Sequence, residues 1–244
     1  MPPLRSLQLD VALLLAGTPL LAKHLSDLAG REQYQFALVF LPLIFGIAIW
    51  RSRTVAWQVT SAGPLNYVLR AVAIATTVGA LLIFDPWLGF VGGWAAVGSL
   101  AIRARTVDRT RPFVFPWLAS LITLPPPLGL DQSLVLLLQS IAASLSGEML
   151  DYLQVVHVRE GNTFEIAGEK LLVEEACSGV NSLYSTVALC LLVVQIQQFG
   201  RAHLFWLTVY GVAADLVANA ARIVAIVLGR TNFDLDLLSE PTHS

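Results

Sequence analysis

Apolar residues run along this chain in long blocks separated by short polar or Pro/Gly-bearing breaks. Blocks at 7–22, 35–50, 65–84, 87–102, 113–124, 178–198 and 203–229 approach or pass the length of a membrane crossing, since about 20 residues of helix cover a hydrocarbon layer of ~30 Å. Each block is expected to be helical, because lipid offers backbone polar groups no partner other than the helix itself. An eighth apolar block, 131–149, follows the break at Pro125, Pro126 and Pro127. In it Ser133, Ser140, Ser144 and Glu148 fall at spacings that share one helix face. That pattern predicts a helix lying at the outer interface, which leaves the following residues outside; a full crossing would put them inside. The only sizeable polar stretch is 150–176. Its alternation in Thr163-Phe164-Glu165-Ile166, with turn signals at Glu160-Gly161-Asn162 and Ala167-Gly168-Glu169, predicts a small hairpin or meander.

The 244 residues are 56% hydrophobic and 13% charged, with a mean hydropathy of +0.69, far from the roughly 25% charge of soluble domains. The fold expected is therefore an all-α polytopic membrane protein of about seven transmembrane helices, forming a single membrane domain over 1–244 with a small β-type insert at 150–176. The start of the chain reads as an anchor rather than a removed signal. Arg5, Arg51, Arg53, Arg103, Arg105, Arg109 and Arg111 mark cytoplasmic connections. The net charge of -2 gives no indication of a nucleic-acid partner. Cys177 and Cys190 are too far apart on a continuous helix to bridge, about 20 Å, so both are expected as free thiols.

The sharpest chemical feature is Glu174-Glu175-Ala176-Cys177-Ser178-Gly179-Val180-Asn181, a polar, small-residue junction leading into an apolar helix. Unpaired N–H groups and the positive end of the helix dipole stabilise a thiolate at such a start, while Ser178 and Gly179 permit close backbone approach. Cys190, mid-helix among Leu and Val, reads as a small buried apolar residue. In the last apolar block Asp215, Asn219 and Arg222 stand at i, i+4 and i+7. Polar groups at that depth either serve function or pair structurally, here as Asp215 with Arg222. Of the histidines, His203 falls on the cytoplasmic side, His24 in the first outer loop, His157 in the insert and His243 after the last block. As a proton donor near the outer face, His157 and His243 rank equally on sequence alone. No metal-ligand spacing, Gly-rich phosphate loop or cofactor motif is evident.

Ala176-Cys177-Ser178-Gly179, a helical hairpin, and then Asn219-Ala220-Ala221-Arg222-Ile223 resemble the exosortase and archaeosortase family, with Arg159-Glu160-Gly161 and the cytoplasmic arginines adding weaker agreement. The resemblance covers most of the chain, and its diagnostic part lies between Arg159 and His243. It implies a membrane-embedded cysteine protease or transpeptidase of the plasma (inner) membrane, with Cys177, Arg222 and a third basic residue, carried over as His243, at the extracytoplasmic face. Ser178, Gly179, Asn181, Asp215 and Asn219 would support them, without metal or cofactor. The implied substrates are secreted proteins with a C-terminal sorting signal of motif, transmembrane helix and basic tail. Cys177 would form an acyl-enzyme, and the protein would pass to a surface anchor. Family members usually carry a further membrane segment after the third basic residue, so an eighth helix is expected to be missing beyond Ser244. Gln35-Phe36-Ala37 stands where many members show Ser-His-Gly, leaving the subgroup open. The competing readings are a transporter whose polar path is lined by Asn181, Asp215, Asn219 and Arg222, and a non-catalytic membrane subunit.

Overall fold

The structure is a computed structural model that describes residues 2–60, 63–106, 111–127, 130–166, 169–172 and 179–233. It contains the helices α1 (Pro2–Ala29), α2 (Ala37–Ser52), α3 (Pro64–Ile83), α4 (Pro86–Arg103), α5 (Val114–Ala119), α6 (Leu130–Tyr152), α7 (Gly179–Gln197) and α8 (Arg201–Phe233). Five segments, within α1, α3, α6 and α8 and across Glu32–Ser52, which joins a 3-10 turn to α2, are long and apolar enough to cross a membrane. Helices α4 and α7, with 18 and 19 residues, approach that length. The all-α polytopic class expected from hydropathy is the class observed. The contacts divide the chain into two compact units, Met1–Leu124 with Leu191–Gly200, and Pro125–Cys190 with Arg201–Ser244.

In the first unit, local chemistry sets the helix ends. Gly63 precedes Pro64 at the start of α3, where a missing N–H costs nothing. Asp85 caps α4 by accepting hydrogen bonds from the Trp87 and Leu88 amides at 2.8 and 3.1 Å. Helix α4 packs closely because it is built of small residues. A Cβ on Gly89 would lie 2.7 Å from Leu20 of α1, and one on Gly98 only 2.3 Å from the Trp117 ring of α5. Trp117 fills that groove and stacks on Trp94 with ring centroids 4.6 Å apart. Each indole N–H donates to the other residue's carbonyl. Two short strands, β1 (Trp57–Val59) and β2 (Ala104–Thr106), pair antiparallel. This ladder joins the two arginine-bearing connections that the sequence suggested only as loops.

In the second unit α6 packs on α8 through a face of small residues. Ala142, Ala143, Ser146 and Gly147 are buried on α6, Asn219, Ala220, Ile223, Val224 and Val227 on α8, and the Ser146 hydroxyl lies 3.3 Å from the Ala220 carbonyl. Small residues let helix backbones approach where lipid removes the hydrophobic drive between helices. The insert forms a three-stranded antiparallel meander of β3 (Val158–Glu160), β4 (Thr163–Ile166) and β5 (Glu169–Leu172). Gly161, at φ +61°, makes its first turn. Phe164 of β4 is fully buried in one cluster with Leu150 at the end of α6 and with Ile223, Val224 and Val227 of α8.

Three expectations change. The block at 113–124 is only α5 followed by a 3-10 turn at Ser120–Thr123; ten residues reach about 17 Å, half a bilayer core. Pro116 near the helix start and the proline run after it keep this element short. Conversely, 131–149, expected to lie at the interface, is part of a 23-residue helix with the length and apolar composition of a crossing. Its Ser133, Ser140 and Glu148 are indeed exposed, but the opposite face is committed to α8. Finally, His24 lies on α1 and not in a loop, because α1 continues to Ala29; its buried ring sits 4.6 Å from that of Phe90.

Candidate active site

The proposed site residues fall on two helices of the second unit. Gly179 opens α7, and Asn181 lies half-buried in its first turn. Cys177, Ser178 and His243 lie outside the described residues. Asp215, Asn219 and Arg222 occupy successive turns of α8. Helices α7 and α8 run antiparallel after the tight connection at 198–200, and three contacts set their register. The Thr186 hydroxyl donates to Asp215 Oδ1 at 3.5 Å. The Cys190 thiol lies 3.5 Å from the Leu207 carbonyl, and Gly211 faces both Cys190 and Thr186, each 3.1 Å from where a Cβ would be.

The three polar residues of α8 differ in their surroundings. Asp215 is half-buried against α7 through Thr186. Asn219 is buried, and its Oδ1 accepts no hydrogen bond from a described residue. Arg222 is exposed and forms no ion pair with a described residue, so the structural Asp215–Arg222 pair is not formed. An uncommitted guanidinium in an apolar helix is available to bind developing negative charge. Cys190 is buried, as its apolar surroundings suggested.

Of the histidines in the second unit, His157 is packed against Phe164, ring centroids 5.6 Å apart. Its Nδ1 donates to the Val155 carbonyl at 3.0 Å, and Nε2 lies 4.0 Å from an Asp151 carboxylate oxygen. No cluster of metal-ligating side chains occurs among the described residues.

A buried group in the first unit was not recognised from sequence. Asp10 of α1 is fully buried with Arg70 of α3 and Arg103 of α4. The signal was available: Asp10 and Arg70 are isolated charges inside apolar runs, which lipid does not tolerate unpaired.

These features define a class first: a multi-pass membrane protein with a row of polar residues on the last helix of a hairpin and a small strand insert outside the helices. Residues 28–244 match the family model for transmembrane exosortases, and the chain belongs to that family. It is accordingly a membrane protein-sorting transpeptidase in the general sense, acting in a lipid bilayer on secreted proteins that carry sorting signals. No curated protein and no solved structure matches it.

Proposed function

We propose that this exosortase cleaves the C-terminal sorting signal of secreted proteins at the extracytoplasmic face of the plasma membrane, using Cys177 as nucleophile. The register of the α7–α8 hairpin carries this reading. Thr186 is level with Asp215, and Cys190 with Gly211, so four residues along one helix correspond to four in reverse along the other. In the sequence Cys177 stands nine residues before Thr186 and Arg222 seven after Asp215, offsets of similar size from that contact, which supports assigning both to one site. A thiolate and a guanidinium at one depth are what acyl transfer requires.

Contacts within each unit support the outward orientation. The β1–β2 ladder joins the connections bearing Arg53 and Arg105, which the excess of basic residues assigns to the cytoplasm. Arg51 donates to the Ile196 carbonyl at the end of α7. In this reading that end of α7 is the cytoplasmic one, and the helix start at Gly179 is the outer one.

The chemistry follows in two halves. The Cys177 thiolate attacks the scissile carbonyl, and Arg222 holds the oxyanion that forms. Collapse breaks the C–N bond, the amine of the released tail takes a proton from His243, and the substrate remains as a thioester on Cys177. A nucleophile on the anchor then gives its proton to His243, attacks the thioester and releases the thiolate. Asp215 and Asn219 shape the polar side of α8 beneath Arg222, Gly179 and Asn181 lie in the first turn of α7, and Ser178 is assigned a supporting role.

The test is processing in cells at native expression. Cys177→Ser and Arg222→Ala should each leave sorting-signal precursors unprocessed, with at least a 100-fold loss of mature product, the scale of losing a nucleophile or an oxyanion donor. Full processing by the Cys177→Ser protein overturns the enzymatic assignment of this thiol.

A further inference from the structure

We infer that Asp10 is an internal counter-ion that makes the first helix an obligatory part of the α3–α4 bundle, and that the α3–α4 face it meets accepts only a helix bearing a carboxylate at that position. The family match begins at residue 28, so most of α1 lies outside it, yet α1 supplies the acidic partner for two arginines that lie inside it.

The geometry is specific. Arg70 Nε and Nη2 donate to the two carboxylate oxygens of Asp10 at 2.8 and 2.7 Å, a bidentate fork. Arg103 Nη1 reaches Asp10 Oδ2 at 3.4 Å, and its Nε donates to the Thr60 carbonyl at 3.2 Å. The Ser99 hydroxyl donates to Asp10 Oδ1 at 3.1 Å, and Asn66 Nδ2 in turn lies 2.7 Å from Ser99 Oγ. Asp10 is 0% exposed, Arg103 2% and Arg70 7%. Arg70, Arg103 and Ser99, from two helices, thus converge on one carboxylate, with Asn66 behind Ser99 and the backbone leading out of β1 behind Arg103.

The charge balance explains why α1 is required. Arg70 and Arg103 bring two positive charges into a buried site, and Asp10 pairs with both. A guanidinium remains charged at any pH a cell reaches, so these arginines cannot relieve the penalty by losing a proton. Removing one partner from a buried ion pair leaves an uncompensated charge, whereas removing both together is far less damaging. The apolar contacts of α1, such as Leu20 on Gly89, tolerate small sliding of a helix; a bidentate fork does not. It therefore specifies the register of α1 against α3.

The experiment uses the full-length protein purified in detergent, with melting followed by size-exclusion recovery and backbone protection by hydrogen exchange. Asp10→Asn should lower the melting midpoint by about 10 °C and deprotect α1 while α3 and α4 stay protected. Arg70→Gln should be destabilising too, and the double substitution should lose much less than the two single losses combined. If Asp10→Asn does not give soluble protein, Asp10→Asn combined with Arg70→Gln and Arg103→Gln should restore a monodisperse peak. Wild-type melting and α1 protection in Asp10→Asn, additive losses in the double variant, or failure of the triple variant to recover a poorly folding single variant would each overturn the inference.

Discussion

Trp117 shows how much a single residue depends on what faces it. Its indole lies in a groove that exists only because position 98 has no side chain; a Cβ there would stand 2.3 Å from the ring. Gly93, one helical stretch earlier on α4, has nothing within 4 Å of the corresponding point. Gly98→Ala should therefore destabilise the protein by about 1–3 kcal/mol through overpacking. Gly93→Ala should be neutral or slightly stabilising, because alanine favours the helix. Thermal melting of the two purified variants checks the pair, and equal melting points would exclude the packing argument. At this scale the sequence was informative about chemistry and silent about partners. Cys190 was legible as a buried thiol from its apolar neighbours. The exposure of Arg222 was not, because its i, i+4, i+7 spacing from Asp215 is equally compatible with a pair; only the Thr186–Asp215 contact shows which helix Asp215 serves.

Among the elements, the insert was the most legible. Period-two alternation in Thr163–Ile166 and the glycine turn at Gly161 specify the β3–β4 hairpin locally. What the strands pack against was not legible, since Phe164 meets α8 about sixty residues further along the chain. Phe164→Ala should cost the docked meander about 3–5 kcal/mol. Hydrogen exchange at 158–172 should then accelerate while the α3–α4 core remains protected; unchanged exchange in the insert would show that Phe164 does not hold it. The sequence reading of helix α6 was limited for a related reason. Its exposed serines suggested an interfacial helix, but amphipathicity cannot distinguish a face turned to water from one left over after the opposite face has packed on a partner. The small residues Ala142, Ala143 and Gly147 were the better signal, since they favour close helix contact.

For the whole molecule the open question is the path of the chain through the bilayer. The last turn of α6, the meander and the last third of α8 share one apolar cluster, so α6 and α8 run in the same direction and both end beside the insert. A crossing α6 would then leave the insert outside, because α5 is too short to cross in its place. In a Cys-free background, Tyr152→Cys should react with a membrane-impermeant thiol reagent in intact cells, whereas Gln132→Cys should react only after permeabilisation. Labelling of both from outside would mean that α6 lies on the membrane.

The sequence by itself determined the solvent, the helices and the family, because a bilayer demands about twenty apolar residues per crossing and acyl transfer demands a small number of residue types in a recognisable order. It also offered an expected cytoplasmic side through the arginines of the connections, although one of them, Arg103, is buried at the end of α4 with Asp10. Tertiary structure alone decided which charges meet. Asp10 and Arg70 are sixty residues apart, and no local pattern joins them. Their pairing is a consequence of α1 and α3 burying the same depth of a shared interface, where an unmatched charge has no solvent to turn to.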